Sequence, residues 1–444
     1  MIIKLYRSAT VGIEVGGKKI LFDPWLTDGV YLGAWSHYPY FDLDSNLSEI
    51  NSYDAIYISH IHPDHCSQET LKKINKDIPI YIHEYHTKFL KFKIERLGFK
   101  VFELSHGKKN EIFKGVNINI FAADNCDPEL CYKLLGCADF NAKNESQQID
   151  SLVVVDDGQE VLVNVNDCPY ELAQSTIPNI LKQYEKIDVL MSGYGGAGCY
   201  PQCFENLNLE QKVASAKKKE KQFLNQALNF IKDLNPKFFL PCAGTYTLTG
   251  KLSKLQNLRG VPSIDDAYIF FDKFLKTSKT IKLNPDASFD TTSKQYDEEY
   301  RSTNIKDYNN YIITNLINKK LDYENCEKPE IDEIYDYAVN AHKKFIEKKL
   351  LNNIEYDLDI ILKVDKKGIN LSKNNKIDLI NINNINLDSK YILFDMDSRL
   401  LKWLLMGPRF AHWNNAEIGS HIKYYRNPDK YERNAHSSLW YMHD

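Results

Sequence analysis

The sequence lacks long hydrophobic runs, and neither sign of charge is in strong excess. No apolar stretch reaches the roughly 18 residues of a membrane-spanning helix, so we expect no membrane partner. The chain starts with a strand-like pattern and shows no apolar signal segment, which disfavours export. It carries 56 Lys and Arg residues against 60 Asp and Glu residues, without a long basic stretch, which makes nucleic acid an unexpected partner.

Cysteine pairs of the C-x-x-C type are also absent. The nine cysteines are scattered over 444 residues, and their odd number suits a reducing cytoplasm better than a disulfide framework. Most of them are expected to be small buried apolar residues. We therefore expect a cytoplasmic protein without structural disulfides.

The length of the chain favours two domains. In the first half, short β-branched or aromatic runs alternate with helical stretches, which indicates an α/β or αββα layer fold. We predict a catalytic domain over residues 1–288 and a smaller α+β domain over 289–444. The second domain has a helical part at about 296–352, followed by a small sheet and an aromatic tail at about 356–444. Leu209–Leu234 is predicted as a long amphipathic helix whose basic run, Lys217–Lys221, forms a solvated face.

An apolar strand followed by the spacing H-x-H-x-D-H lies at residues 56–66. The candidate metal ligands in it are His60, His62, Asp64 and His65. Along an extended strand end His60 and His62 point to the same side, so two imidazoles can reach one metal ion. The turn at Pro63 places Asp64 and His65 in a second pocket beside the first. Because the chain has only 12 histidines, this spacing indicates a metal site rather than an exposed polar loop.

These residues resemble the metallo-β-lactamase superfamily, and further segments narrow the resemblance to the CMP-N-acetylneuraminate hydroxylase family. The segments are Leu21–Leu26 with its D-P-W-L turn, Asn164–Cys168, Met191–Gly198 and Pro241–Gly244. The likeness covers residues 3–250 and, more loosely, the aromatic tail. It implies a four-layer αββα fold. No counterpart of that family's Rieske iron–sulfur domain is expected, because neither C-x-H nor C-x-x-H occurs.

The resemblance also implies residues that complete the site. Asp167 falls at the strand end where the superfamily places a bridging or completing carboxylate, although a turn or capping role is the alternative. Asp127 falls where the related hydroxylases have a histidine before Pro-Glu, so a ligand role and a loop role are both open. The last histidine of the hydrolases is absent, since the chain reads Pro241-Cys242-Ala243.

Substrate contacts are implied by family position for Arg7 and Tyr194. The glycine-rich segment after the strand at residues 189–192 offers backbone amides of Gly195 and Gly196 to a phosphate or carboxylate, or it forms a tight turn without a ligand. The aromatic tail either covers the cleft or packs between the two domains.

Two chemistries remain open for a small-molecule substrate. In the first, one or two iron ions support a monooxygenase reaction on a nucleotide sugar or a related N-acylated polar substrate, with electrons from an external donor. In the second, one or two zinc ions activate water for hydrolysis of an amide, ester or phosphoester. Asp64 and Asp167 are the expected catalytic carboxylates in both. A third possibility is a metal-binding protein without catalytic activity.

Overall fold

Two β-sheets that pack face to face form the first part of the protein. The computed structural model describes residues 1–123, 150–386 and 388–444. Within these residues, the first sheet has eight strands, in the spatial order Gln295–Tyr296, Ser288–Asp290, Ile2–Arg7, Thr10–Val15, Lys18–Phe22, Ala55–Tyr57, Ile80–His83 and Val101–Leu104. The second sheet has seven, in the order Lys279–Thr280, Phe238–Cys242, Val189–Gly193, Val161–Asn164, Ser151–Asp156, Val116–Ala122 and Lys109–Phe113.

The apolar strands are buried on both faces. Every residue of Ser151–Asp156 is buried. Val153 and Val155 join the core between the two sheets, whereas Leu152 and Val154 join the core on the outer face. This alternation follows from the two-residue period of a strand, and burial of each such side chain contributes about 1.5–3 kcal/mol. Continuous apolar runs are therefore what this layered arrangement requires.

Helices cover the outer face of each sheet. The first sheet is covered by Leu43–Ile50, Gln68–Lys73 and Phe89–Glu95. The second is covered by Tyr170–Ala173, Ile177–Gln183, Leu209–Leu234 and Ile264–Phe274. These layers confirm the predicted αββα fold. None of the helices in the described residues is both long and apolar enough to cross a membrane.

The long helix has the predicted bounds, Leu209–Leu234, because both ends carry clear signals. Asn208 and Gln211 form a capping box at the start, and Asn235 ends the helix in the left-handed conformation before Pro236. The predicted solvated face is wrong at Lys219, whose Nζ lies 3.0 Å from the carbonyl oxygens of both Tyr200 and Arg259. Burial lowers the pKa of Lys219 to about 8.

The last third of the chain forms a second α+β structure. Its sheet has the strand order Ile377–Asn381, Lys367–Leu371, Asp359–Val364, Tyr391–Asp395 and Lys423–Asn427. The α-helices are Ile305–Tyr311, Ile331–Leu351, Ser398–Met406, Trp413–Ile418 and Arg433–Ser438. Its apolar core also contains Trp25, Tyr31, Trp35 and Tyr246, which come from the first part. The two parts thus share one hydrophobic cluster, and the exact division at residue 288 stays a prediction.

Parallel strands bring several chain segments to one edge of the two sheets. In the first sheet Lys18–Phe22 runs parallel to Ala55–Tyr57, and both continue into polar loops at this edge. In the second sheet Val161–Asn164, Val189–Gly193 and Phe238–Cys242 are parallel in the same way. Carboxyl ends of parallel strands are where ligands commonly bind in α/β proteins. The candidate site lies here.

Candidate metal centre

His60, His65 and Asp167 bring their ligand atoms to a common space beside the sheet edge, and His62 lies next to His60. His60 Nε2 lies 3.0 Å from His62 Nδ1, and His65 Nε2 lies 3.2 Å from Asp167 Oδ2. The ligand atoms of His60, His65 and Asp167 all lie within 4.8 Å of one another. The structure therefore brings together the predicted histidines and Asp167, and their role as ligands stays a prediction.

Each of these imidazoles has an oxygen atom at its other ring nitrogen. Asp23 Oδ2 lies 2.8 Å from His65 Nδ1, and Asp150 Oδ1 lies 2.9 Å from His60 Nδ1. Asn414 Oδ1 lies 3.3 Å from His62 Nε2. A carboxylate or amide oxygen only accepts, so it favours a proton on the far nitrogen and, in a neutral ring, leaves the lone pair on the near nitrogen. This is the tautomer that a metal ion needs.

Asp23 is a positioning residue that the sequence analysis did not assign. It directly follows the strand Lys18–Phe22 with a positive φ of 43°, and its side chain is fully buried. Its carboxylate accepts hydrogen bonds from the backbone N–H and the hydroxyl of Ser59, at 2.7 and 2.8 Å. These bonds fix the carboxylate against His65. The D-P-W-L turn contains this residue, and an acidic residue between an apolar strand and Pro24 was the available signal.

Asp150 and Asn414 were also missed, because no local sequence pattern around either residue indicates contact with the histidines. Asp150 is buried and precedes the strand Ser151–Asp156. Asn414 lies at the start of the helix Trp413–Ile418, where its backbone N–H donates to His412 Nδ1 at 3.2 Å. Burial lowers the pKa of His412 to about 4, so its ring stays neutral and accepts this bond.

The two carboxylates of the centre differ in their surroundings. The Tyr31 hydroxyl donates to Asp64 Oδ1, while Asp64 Oδ2 lies 3.8 Å from His65 Nε2. Burial and the charge of Asp64 raise the pKa of Tyr31 well above its ordinary value, so the hydroxyl keeps its proton. Asp167 has a side chain that is 31% exposed. It forms an open side of the centre.

The charges of the centre also shift the pKa values of its members. Burial alone would raise the pKa of Asp167, but His65 and its neighbours lower it below the ordinary range. Burial, then the His60 ring, lowers the pKa of His62. Burial alone would lower the pKa of His65, but Asp167 and Asp23 raise it well above its usual value. A metal ion that binds His65 therefore displaces a proton.

The aromatic tail reaches the centre by a second route. The His421 Nε2–H donates to the Tyr31 carbonyl oxygen at 2.8 Å, and His421 Nδ1 accepts from the Tyr323 hydroxyl at 3.2 Å. Tyr31 in turn holds Asp64. The tail therefore contacts the centre through His421 as well as Asn414, and it also packs in the shared hydrophobic cluster.

The other predicted residues lie apart from the histidine cluster. Asp127 lies outside the described residues. Arg7 and Tyr194 line a neighbouring cavity, where Arg7 Nη1 is 3.0 Å from both carboxylate oxygens of Asp286. A side chain at Gly195 or Gly196 would collide with close neighbours, at 3.0 Å from Val261 and 1.9 Å from Phe223. These two glycines thus permit tight packing, and their contact with a substrate stays a prediction.

Ala243 follows the strand Phe238–Cys242, and its methyl side chain offers no nitrogen donor. Its backbone has a positive φ of 50°, and its N–H donates to the Ser8 carbonyl oxygen at 3.0 Å. Within the described residues the candidate donor set is therefore three imidazole nitrogens with the carboxylates of Asp64 and Asp167. Such a nitrogen and oxygen set suits zinc or non-haem iron.

Comparison with protein families gives a match over most of the first part. The family described as "Beta-lactamase superfamily domain" matches residues 2–243. This match confirms the resemblance drawn from residues 56–66 and the segments around them. It contains every candidate ligand in the described residues, whereas Asn414 and His421 lie beyond its end.

Individual relatives are similar over the same length. The cytidine monophosphate-N-acetylneuraminic acid hydroxylase of Xenopus laevis is 30% identical over 247 residues, which cover 54% of this chain and 37% of that protein. The hydroxylase of Danio rerio is 28% identical over 248 residues, with the same coverage. The match thus spans little more than a third of these relatives' own length. Among solved structures, an isothiocyanate hydrolase from Delia radicum gut bacteria covers 65% of this chain and 98% of its own, with 15% identity and a TM-score of 0.45.

Replacement of His60 or His62 by alanine is expected to remove most bound metal, because each residue supplies a nitrogen ligand. Elemental analysis of purified protein, normalised to folded chain by circular dichroism, measures the loss. His443→Ala is the control, since this partly exposed histidine lies near the carboxyl terminus. Full metal occupancy in both His60→Ala and His62→Ala would contradict the assignment.

Asp23→Asn is expected to weaken metal binding by roughly 10- to 100-fold, because the neutral amide holds the proton on His65 Nδ1 less firmly. A competition titration with a chelator gives the dissociation constant. Asp54→Asn removes a carboxylate that bonds Lys18 and the Lys19 N–H elsewhere in the first sheet. Equal metal affinity for the wild type and Asp23→Asn would show that Asp23 serves only the fold.

Asn414→Ala is expected to weaken metal binding by roughly tenfold, since His62 loses the acceptor that fixes its ring. The matched control is Asn415→Ala, on the same short helix, for which no side-chain hydrogen bond to the centre exists in the described residues. The same chelator titration compares the two variants. The idea fails if both variants bind metal alike.

Proposed function

Because the chain belongs to the β-lactamase superfamily, with a match that contains the five candidate ligands, we propose that it is an iron-dependent oxygenase. The observation that carries this proposal is the similarity to two hydroxylases over 54% of the chain. The proposed ligands are His60, His62, Asp64, His65 and Asp167. An external electron donor supplies the reducing equivalents that an oxygenase needs.

The donor set supports iron over a closed pair of zinc ions. Ala243 stands at a strand end where the resemblance to the hydrolases would place a histidine, and it offers no donor atom. With one nitrogen ligand fewer, carboxylate oxygens form a larger share of the donor set, which favours a harder ion with free coordination positions. Bound iron supplies the capacity to bind and reduce dioxygen at such positions.

The residues of the chain have separate tasks in this proposal. Asp23 and Asn414 accept at the far nitrogens of His65 and His62, and Ser59 Oγ lies 2.9 Å from the far nitrogen of His60, with the Asp150 carboxylate beside it. Tyr31 restrains one oxygen of Asp64, which leaves the other oxygen facing the centre. Asp167 is ionised at neutral pH because its pKa is lowered, so it offers an anionic oxygen ligand on the open side of the centre.

The proposed substrate class follows from the relatives and from the polarity of the site. The names of the matched relatives specify a nucleotide-linked N-acylated sugar. We therefore propose a nucleotide sugar or a related N-acylated polar molecule as the substrate. Loops shape this part of the surface, and loops carry most of the specificity in enzymes that share a fold.

The test loads metal-free protein with ferrous iron under anaerobic conditions, admits oxygen and follows its consumption with a reductant present. We expect oxygen uptake, or a new iron absorption band, that depends on His62. His62→Ala is therefore the control that separates the centre from free iron. Parallel samples loaded with zinc receive a generic ester and a generic phosphodiester.

Three results would speak against the oxygenase. Zinc-dependent cleavage without iron-dependent oxygen uptake would assign a hydrolase of the same superfamily. Metal binding at His60 and His62 with neither reaction would assign a protein that binds metal without catalysis. Oxygen uptake that is equal in His62→Ala would attribute the reaction to iron outside the centre.

A further inference from the structure

The cavity lined by Arg7 and Tyr194 lies at the same edge of the sheets as the metal centre. Its volume is about 380 Å³, which is within the usual size range of small-molecule sites. Strand ends near Arg7 and Cys242 form one wall, and the rings of Tyr246, Tyr300 and Tyr308 contribute others. None of the five candidate metal ligands is among the residues that line it. It is therefore a separate space with its own chemistry.

Arg259 brings a buried positive charge to this cavity. Its side chain is 8% exposed, its Nε donates to the Gln256 carbonyl oxygen at 2.9 Å, and its Nη1 donates to the Tyr246 carbonyl oxygen. The guanidinium carbon lies 4.4 Å from the centroid of the Tyr246 ring. In the described part of the chain, no carboxylate lies within 4.0 Å of this guanidinium. Arg7, in the same wall, is paired with Asp286.

An unpaired buried charge is costly, because neutral partners replace only part of the hydration that the group loses. The carbonyl oxygens and the aromatic ring around Arg259 are neutral partners of this kind. An anion in the cavity would complete the electrostatic environment of Arg259. Arg and carboxylate or phosphate groups form strong charge-assisted hydrogen bonds.

Tyr194 presents an unused hydroxyl to the same cavity. The residue is 1% exposed and lines the cavity, and its hydroxyl has no hydrogen-bond partner among residues 1–123, 150–386 and 388–444. Buried hydroxyls are nearly always hydrogen-bonded in proteins, so a missing partner points to a bound group. Burial raises the pKa of Tyr194 well above its ordinary value, which leaves the hydroxyl as a donor.

The remaining charged groups leave the cavity with positive character. Its charged lining residues are Arg7, Arg259, Arg301 and Glu220. Arg301 is 79% exposed and pairs with Glu298 at 3.3 Å. Glu220, the one acidic side chain of the described lining, is near enough for the charge of Arg259 to oppose the burial that raises the pKa of Glu220, but the two form no ion pair within 4.0 Å. The charge of Arg259 is thus available to a ligand.

We propose that this cavity binds a small organic anion, with its carboxylate or phosphate group held by Arg259 and Tyr194. The aromatic walls suit a flat or cyclic body attached to that group. Binding itself is independent of the metal chemistry, and only the conclusion that the anion is the substrate rests on the proposed function.

The position of the cavity links it to the metal centre. Ala243 lines the cavity, and its carbonyl oxygen lies 3.6 Å from the point where Gly193 would carry a side chain. Asp167 Oδ1 lies 3.6 Å from the same point. The floor of the cavity and a candidate metal ligand therefore share one neighbour.

The experiment uses the full chain and measures binding of benzoate, phenyl phosphate and neutral benzamide by isothermal titration calorimetry. We expect at least one of the two anions to bind roughly tenfold more tightly than benzamide. The anion that binds more tightly identifies a carboxylate or a phosphate site. Each titration is repeated after removal of metal with a chelator, and binding in the cavity is expected to persist.

Two variants connect the binding to the cavity. Tyr194→Phe is expected to weaken anion binding by roughly three- to tenfold, while the melting temperature of the free protein is unchanged or higher, because an unpaired hydroxyl is removed. Arg259→Gln is expected to weaken binding by more than roughly tenfold. Arg301→Gln is the control, and its exposed side chain predicts an effect of less than roughly twofold.

Anion binding that disappears with the metal would assign the anion to the metal centre and overturn the proposal. Equal binding by the wild type and Tyr194→Phe, or equal binding of benzamide and both anions, would also overturn it. If Arg259→Gln does not fold, Tyr194→Phe still decides. Anion binding without oxygen uptake would sustain this inference and reject the oxygenase proposal.

Discussion

The candidate centre depends on the oxygen atoms that contact the far ring nitrogens of His60, His62 and His65, the nitrogens that point away from the metal space. Without these acceptors, each imidazole could rotate or carry its proton on the nitrogen that faces the metal space. Asp23 comes from the end of a strand in the first sheet, Asp150 precedes a strand of the second, and Asn414 lies in the carboxyl-terminal part. The orientation of one short motif therefore requires three distant segments to be folded at once.

This requirement explains which parts of the site could be predicted from the sequence. His60, His62, Asp64 and His65 lie within six residues, so their spacing alone indicates a shared site. Their outer partners are ordinary acidic or amide residues that lie far away in the sequence. Only tertiary structure brings such residues to an imidazole, and no local pattern distinguishes them from residues that serve turns and caps.

Those parts of the fold whose signals lie within a short stretch of sequence were also predictable. Runs such as Ser151–Asp156 and the capped helix Leu209–Leu234 carry their periodicity and end signals within the sequence. Lys219 was misassigned because its charge suggested solvent, whereas its carbonyl partners come from two remote loops. The Asn-rich segment 374–386 contains the strand Ile377–Asn381, which pairs with Lys367–Leu371 although asparagine is uncommon in strands, so its structure depends on the neighbouring strand.

The hydrophobic cluster that joins the two parts of the chain also limits how this protein could have been assembled by recombination. Trp25, Trp35 and Tyr246 pack in one core with residues of the carboxyl-terminal sheet and its helices. A genetic exchange that moved only residues 2–243, the segment matched by the family, would leave Trp25 and Trp35 without this cover and His62 without Asn414. A carboxyl-terminal region that took the place of this one would therefore have to supply both the apolar cover and an acceptor for His62.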